Sequence, residues 1–209
     1  MKNLAIITAR GGSKRIPKKN IKDFCGKPII AYSIEAALGS GLFDEVMVST
    51  DSEDIAKIAT EYGAAVPFFR SAETSGDFAT MYDVLTEVVE EYEKIGKHFE
   101  NYCCIYPTAP FITAERLRDA FGIFTSGNAS MLQPVVRFSF PPQRGMKIKD
   151  GALEFVSPEN AWVRSQDLEP MYHDCGQFYF FSNVFYDSEG NRIPVKCNQI
   201  GRASCRERV

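Results

Sequence analysis

No two cysteines stand at CxxC spacing, although the sequence carries six, at 25, 103, 104, 175, 197 and 205. Their scatter supports neither a structural zinc site nor a secreted disulfide framework, so they read as reduced thiols, with Cys103 and Cys104 as core filler. No apolar run approaches the roughly 20 residues of a membrane span, and a buried-strand pattern begins within the first ten residues in place of a signal peptide. A cytoplasmic protein is the expectation. The GxGxxG fingerprint of dinucleotide folds and the GxxxxGK[ST] P-loop are missing too. A formal net charge of -3 argues against a general nucleic-acid binder. With 209 residues, 44% hydrophobic and 24% charged, the composition is that of an ordinary globular chain with one domain as the default.

What is present is concentrated in residues 4–22. Residues 4–9 are a short apolar run that reads as a fully buried strand, and it empties into Arg10-Gly11-Gly12-Ser13-Lys14-Arg15, where periodicity stops. Gly11 and Gly12 permit positive φ and close backbone approach, so successive N–H groups can turn inward on an anion. Arg10, Lys14, Arg15, Lys18 and Lys19 supply the charge. The competing reading, a solvated basic turn, does not explain why the cations follow a buried strand and two glycines.

The rest alternates strands with helices. Pro28 suits a helix N1 position, Ile29, Ile30, Ile34, Ala37 and Leu38 keep helical spacing, and Gly39 is the expected stop. Residues 45–50 are a second strand, Asp51 or Ser52 caps a helix that ends at Gly63, and 66–69 form a third strand. A polar loop over 70–79 leads to an amphipathic helix over about 80–97 with Val84, Leu85, Val88, Val89 and Tyr92 on one face. Strand 102–106, helix 113–124 and strand 130–136 follow. This order predicts an α/β fold, a mainly parallel nucleotide-binding sheet with helices on both faces and ligands beyond the strands' carboxyl ends. Residues 137–174 are rich in proline and aromatics and read as an inserted β arm, with a hairpin turning at Lys149-Asp150-Gly151. Residues 176–182 return to the core, with a turn at Gly190-Asn191 and a strand over 193–197 after them. The domain is expected over 1–200, and the basic, aperiodic 201–209 reads as a non-native or disordered tail.

ARGGSKRIPKKNIKDFCGKPIIAYSIEAA resembles the opening of the cytidylyltransferases that activate acidic sugars, the CMP-sialic acid synthetase family, and later segments are most similar to its pseudaminic acid branch. The likeness runs from residue 1 to about 200. It implies a nucleotide-diphospho-sugar transferase-like fold, CTP and a nine-carbon acidic sugar as substrates, Mg2+ as cofactor, and a homodimer joined through the arm. Neither nucleic acid nor membrane is an implied partner. It implies that Arg10, Ser13, Lys14, Lys19 and Asn20 contact CTP, beside the backbone of Gly11 and Gly12. Arg10, Lys14 and above all Lys19 would meet transition-state charge, and Asn20 the base or ribose, unless it is only a turn residue.

Arg70 lies in RSAETSGDFAT, similar to the family's second nucleotide-contacting segment, with Thr80 near its hydroxyl position. Asp51 ends a strand and reads first as a helix cap, second as a Mg2+ ligand. Tyr106-Pro107-Thr108-Ala109-Pro110 resembles the family's Pro-Thr-x-Pro turn, with tyrosine where sialic acid enzymes carry glutamine. Tyr106 is therefore a sugar contact by resemblance, or a core tyrosine. Arg164-Ser165-Gln166-Asp167-Leu168 resembles the arm motif in which an arginine binds the sugar carboxylate, which makes Arg164 and Gln166 sugar-site candidates. His173, next to Asp174, is a further candidate to line the pocket, although neighbouring residues point differently and the pair is no catalytic dyad. Trp162 and residues 178–181 read as core or interface. No Asp-x-Asp segment, which the family pattern has next, follows residue 200. Three alternatives stay open: a relative acting on sialic or another ulosonic acid, a glycosyltransferase with a similar sheet, and a non-catalytic nucleotide-binding protein.

Overall fold

Leu4, Ala5, Ile6 and Ile7 are all fully buried, so strand β1 (Asn3–Thr8) has to be covered on both faces. The computed structural model describes residues 2–127 and 130–182 and the backbone of 197–200. After β1 come β2 (Asp23–Phe24), β3 (Lys27–Pro28), α1 (Ile29–Ser40), β4 (Glu45–Ser49), α2 (Glu53–Glu61), α3 (Ala72–Ser75) and α4 (Met81–Lys94). Then follow β5 (Asn101–Ile105), α5 (Ala114–Ser126), β6 (Met131–Arg137), β7 (Met146–Lys149), β8 (Ala152–Phe155), β9 (Tyr172–Asp174), β10 (Phe178–Ser182) and β11 (Cys197–Ile200). Among the described residues two compact units result, one within 1–133 and 176–199 and one within 134–175.

The first unit's sheet has the order β11-β6-β10-β5-β1-β4. β1 lies between β4 and β5 and is parallel to both. β10 runs antiparallel to β5 and β6. No crossover helix precedes it: Gly176, at φ 61, turns the chain in beside the carboxyl end of β5, where the Tyr106 N–H donates to the Gln177 carbonyl at 2.9 Å. Side chains alternate across the sheet. Leu4, Ile6, Met47, Tyr102, Cys104, Tyr179 and Phe181 pack under Leu85, Val88 and Tyr92 of α4. On the other face Phe180 meets Phe121 and Phe124 of α5, which in turn packs on α1. Helices therefore cover both faces. Among the described residues no helix is long and apolar enough to cross a membrane.

Four local expectations need correction. Gly39 lies inside α1, because glycine in a helix is tolerated at modest cost; the stop is Gly41, whose φ of 67 only glycine adopts freely. Pro28 is the residue before α1, not its first. Neither Asp51 nor Ser52 caps α2 with its side chain. Residues 66–69 form no strand: Pro67 has no N–H to give, and pairing ends at one bridge between Met47 and Ala65. The long helix starts as its sequence implies, with Thr80 and Asp83 forming a reciprocal capping box.

In the second unit Val135, Val136 and Arg137 of β6 pair antiparallel with β9. β7 and β8 form a hairpin whose Asp150 (φ 51) and Gly151 (φ 81) both take the left-handed conformation that a tight two-residue turn requires. Ile148 faces Leu153 across the strands, and the two are 78% and 70% exposed. Residues 190–196 and 201–209, where a turn, most of a strand and a tail are expected, lie outside the described residues.

Candidate functional site

The ends of β1, β4 and β5 point the same way, and the residues that follow them meet. The Ala9 N–H reaches the Ser49 carbonyl at 2.9 Å, so β1 stays paired until the cationic loop departs at Arg10. Neither Gly11 nor Gly12 takes a positive φ; the left-handed residue in this loop is Lys18, at φ 51. Gly11 serves by close approach instead. Its N–H donates to Asp51 Oδ1 at 2.6 Å, and a Cβ added there would stand 3.0 Å from the Ser52 Cβ. Asp51 thus anchors the loop rather than capping α2, and the Gly11 amide is engaged by a carboxylate of the chain. Around Gly12 there is open space. Ser13 closes a tight turn through its N–H to the Gly11 carbonyl, and Lys18 pairs with Asp54 of α2.

Because Gly11 is wedged against the start of α2, Gly11→Ala is expected to push the loop outward and break the Asp51 contact. Misplacement of about 1 Å can cost a site about a hundredfold, so a loss of at least about tenfold in the catalytic efficiency of a reaction served by this loop is expected. Steady-state kinetics checks this, and an unchanged value removes the anchoring role of Asp51.

Behind the loop a cavity of about 380 Å³ opens, lined among others by Thr8, Lys19, Asn20, Arg70, Tyr106 and Thr108. That is the size of a small-molecule site. Asn20 is only 5% exposed; its Nδ2 donates to the Arg10 carbonyl at 2.9 Å, while its Oδ1 is buried with no partner among the described residues. A buried acceptor left without a donor among the described residues is costly, and it belongs to a residue that lines the cavity. Lys19 lines the same space half-buried, and no carboxylate among the described residues pairs with its ammonium.

Arg70 is held rigidly: its Nε donates to Ser49 Oγ at 3.0 Å and its Nη2 to the Ser49 carbonyl at 2.8 Å. Burial lowers its pKa from the ordinary value, opposed by Asp51 and Glu87; an arginine so placed keeps its charge. Arg10 and Lys14 converge on Asp77, with Arg10 Nη1 at 3.1 Å from Asp77 Oδ1 and Lys14 on the other carboxylate oxygen. Thr80 also lines the cavity, but its hydroxyl accepts the Asp83 N–H and donates to Asp83 Oδ2, so it is committed to the helix cap. Tyr106 presents its ring edge-on to Tyr179 at 5.6 Å, and the buried Ser33 donates to its carbonyl at 2.8 Å.

The structure thus brings Arg10, Lys19, Asn20, Arg70, Thr80 and Tyr106 to one cavity, with Lys14 joined through Asp77. Arg164, Gln166 and His173 belong to the second unit, and all three are exposed. There Arg164 Nε donates to Asp167 Oδ2 at 2.7 Å; His173 Nδ1 lies 2.8 Å from the Asp174 carbonyl and its ring 4.7 Å from that of Phe138. Among the described residues no three His, Cys, Asp or Glu side chains gather into a ready metal cage.

Sequence reasoning missed Thr8, Asp77, Thr108 and Glu87, which accepts the Ser71 N–H and the Thr74 hydroxyl and so fixes the loop carrying Asp77. For Asp77 the signal lies in RSAETSGDFAT itself, between the arginine and the threonine; Thr8, Glu87 and Thr108 lie outside that segment.

Residues 4–140 match the cytidylyltransferase family. Over 181 residues the chain is 44% identical to the pseudaminic acid cytidylyltransferase of Campylobacter jejuni serotype O:2, covering 86% of this chain and 78% of that protein. Over 215 residues it is 36% identical to the CMP-N,N'-diacetyllegionaminic acid synthase of Legionella pneumophila, covering 97% of this chain and 90% of that one. Among solved structures, a CMP:2-keto-3-deoxy-manno-octonic acid synthetase complexed with CTP shares the fold, at a TM-score of 0.64 and 21% identity over 87% of this chain and 74% of that one.

Proposed function

The chain belongs to the cytidylyltransferase family, and from that premise we propose that it transfers CMP from CTP to the anomeric hydroxyl of a nine-carbon acidic sugar, pseudaminic acid. The anomeric oxygen attacks the α-phosphorus, the bond to the bridging oxygen breaks, and pyrophosphate leaves with that electron pair while the hydroxyl proton passes to solvent. The carrying observation is the cavity at the carboxyl ends of β1, β4 and β5, lined together by Lys19, with which no carboxylate among the described residues pairs, the fixed Arg70 and the buried Asn20.

Each group has a task suited to its chemistry. Arg10 and Lys14 take the terminal phosphates as charge-assisted donors. Lys19 faces the charge that grows as the phosphoryl group is transferred. Asn20 Oδ1 accepts an N–H or O–H from the base or ribose. Asp51 offers Mg2+ a hard oxygen, since Gly11 engages only one of its two, and magnesium takes one or two carboxylates together with phosphate oxygens. When bound, the ion neutralises charge on the triphosphate.

Tyr106 shapes the sugar end of the cavity. Arg164, Gln166 and His173 carry a guanidinium, an amide and an imidazole suited to the carboxylate and hydroxyls of an acidic sugar, and the second unit that holds them is read as the arm of a homodimer. The free thiols at Cys25, Cys103, Cys104 and Cys175 accord with cytoplasmic work.

Pyrophosphate release from CTP and Mg2+ over a panel of ulosonic acids tests the assignment. Pseudaminic acid is expected to give the highest kcat/KM, with sialic and N,N'-diacetyllegionaminic acids at least about tenfold lower, because a pocket built to hydrogen-bond particular hydroxyl and amide positions strongly rejects their misplacement. Preference for another sugar changes the substrate; no release with any of them defeats the proposal.

A further inference from the structure

Two of the cations assigned to the phosphates are already occupied by the chain itself. Asp77 Oδ1 stands 3.1 Å from Arg10 Nη1 and Oδ2 contacts Lys14 Nζ, while Arg10 Nη1 also donates to the Gly76 carbonyl at 3.0 Å. Lys14 first, and then Arg10, holds the Asp77 carboxyl below its usual range, so it is an anion at neutral pH.

The loop that presents it is tied at both ends. On one side Glu87 of α4 accepts the Ser71 N–H at 2.8 Å and the Thr74 hydroxyl, and Ser75 Oγ donates to the Ser71 carbonyl at 2.6 Å. On the other, Thr80 and Asp83 close the cap of α4. Only residues 76–79 span the gap. Phe78 among them packs on nothing, being 99% exposed, so little apolar contact holds this span down. A carboxylate carried on such a span between an arginine and a lysine offers them the paired oxygens that a phosphate would.

We propose that Asp77 is an internal competitor for the triphosphate, occupying Arg10 and Lys14 and displaced when the nucleotide's terminal phosphates take the same two cations. The inference rests on reading Arg10 and Lys14 as phosphate ligands. A phosphate chain cannot share both cations with a carboxylate in contact without like-charge repulsion, so anion binding selects the form in which Asp77 has swung out. The apparent affinity for the anion falls by the fraction of molecules in which Asp77 is released. Product pyrophosphate in turn leaves against a ready replacement, and the two cations are never left facing each other without an anion.

Calorimetric titration of inorganic pyrophosphate in EDTA, where no metal bridges the charges, tests this on wild type, Asp77→Asn, Asp77→Ala and Lys14→Ala. Both Asp77 variants are expected to bind pyrophosphate about five- to tenfold more tightly, in line with release from two exposed ion pairs, and Lys14→Ala more weakly. If Lys14→Ala weakens binding while both Asp77 variants bind equally or less tightly than wild type, Asp77 is no competitor and the phosphate reading survives. If Lys14→Ala binds as wild type does, the phosphate reading itself falls.

Discussion

Lys19→Ala lowers kcat for CMP-sugar formation by at least about a hundredfold and leaves the thermal transition within a few degrees of wild type. A hundredfold is about 2.7 kcal/mol of transition-state stabilisation, the scale of one well-placed electrostatic donor in a water-poor site. Lys19 meets the conditions for such a role. It is half-buried against a cavity, it follows a turn fixed by the Lys18 φ of 51, and no carboxylate among the described residues neutralises it. Its removal leaves no buried charge orphaned, which is why the fold should not notice. Lys14 is the contrast: 79% exposed and paired with Asp77, it is expected to act mainly on the KM for CTP. Single-turnover rates with saturating CTP separate the two cases, and a Lys19→Ala enzyme with unchanged kcat would sink the assignment of the loop.

The parts of this site that are legible in the sequence are those written locally. A buried run followed by two glycines marks the end of β1, Thr80 with Asp83 three residues on marks the start of α4, and Asp150-Gly151 between two short runs marks the hairpin. What the sequence withholds is pairing over distance. Asp51 reads as a helix cap because its neighbours are Ser-Glu-Asp, yet its partner is an amide 40 residues earlier. Asp77 sits in a polar loop without periodicity, and Lys14 is 63 residues away. The direction of β10 is equally hidden, since an apolar run such as FYFFS shows a strand but not which way it enters the sheet. Catalytic geometry is set by these long-range pairs, so residue types can nominate the cations of the loop but not the carboxylates that hold them.

Ile148→Lys combined with Leu153→Glu is expected to turn a homodimer into a monomer. In the second unit Met146, Ile148, Leu153 and Phe155 form one face of the β7–β8 hairpin, and Ile148 and Leu153 stay 78% and 70% exposed. Single exposed apolar residues are unremarkable, but a contiguous apolar face on a hairpin is the kind of surface a partner covers. A second copy of the chain fits this face, because an isologous contact sets the same apolar face of each copy against the other.

The substitutions are chosen so that folding is not the readout. Opposite charges directly across the strands keep the hairpin paired, as Lys147 and Glu154 do on its other face, and neither site is buried within one chain. At an interface the same two charges lose their water, and the dimer dissociation constant should rise at least about a hundredfold by sedimentation equilibrium. Arg164 lies in the same unit. If it reaches the sugar of the partner copy, Lys19→Ala and Arg164→Ala subunits, each inactive alone, recover about a quarter of wild-type activity when mixed equally and allowed to exchange, because half the dimers are mixed and each holds one intact site. A wild-type chain that sediments as an active monomer, or mixed dimers that form without activity, would confine Arg164 to its own subunit.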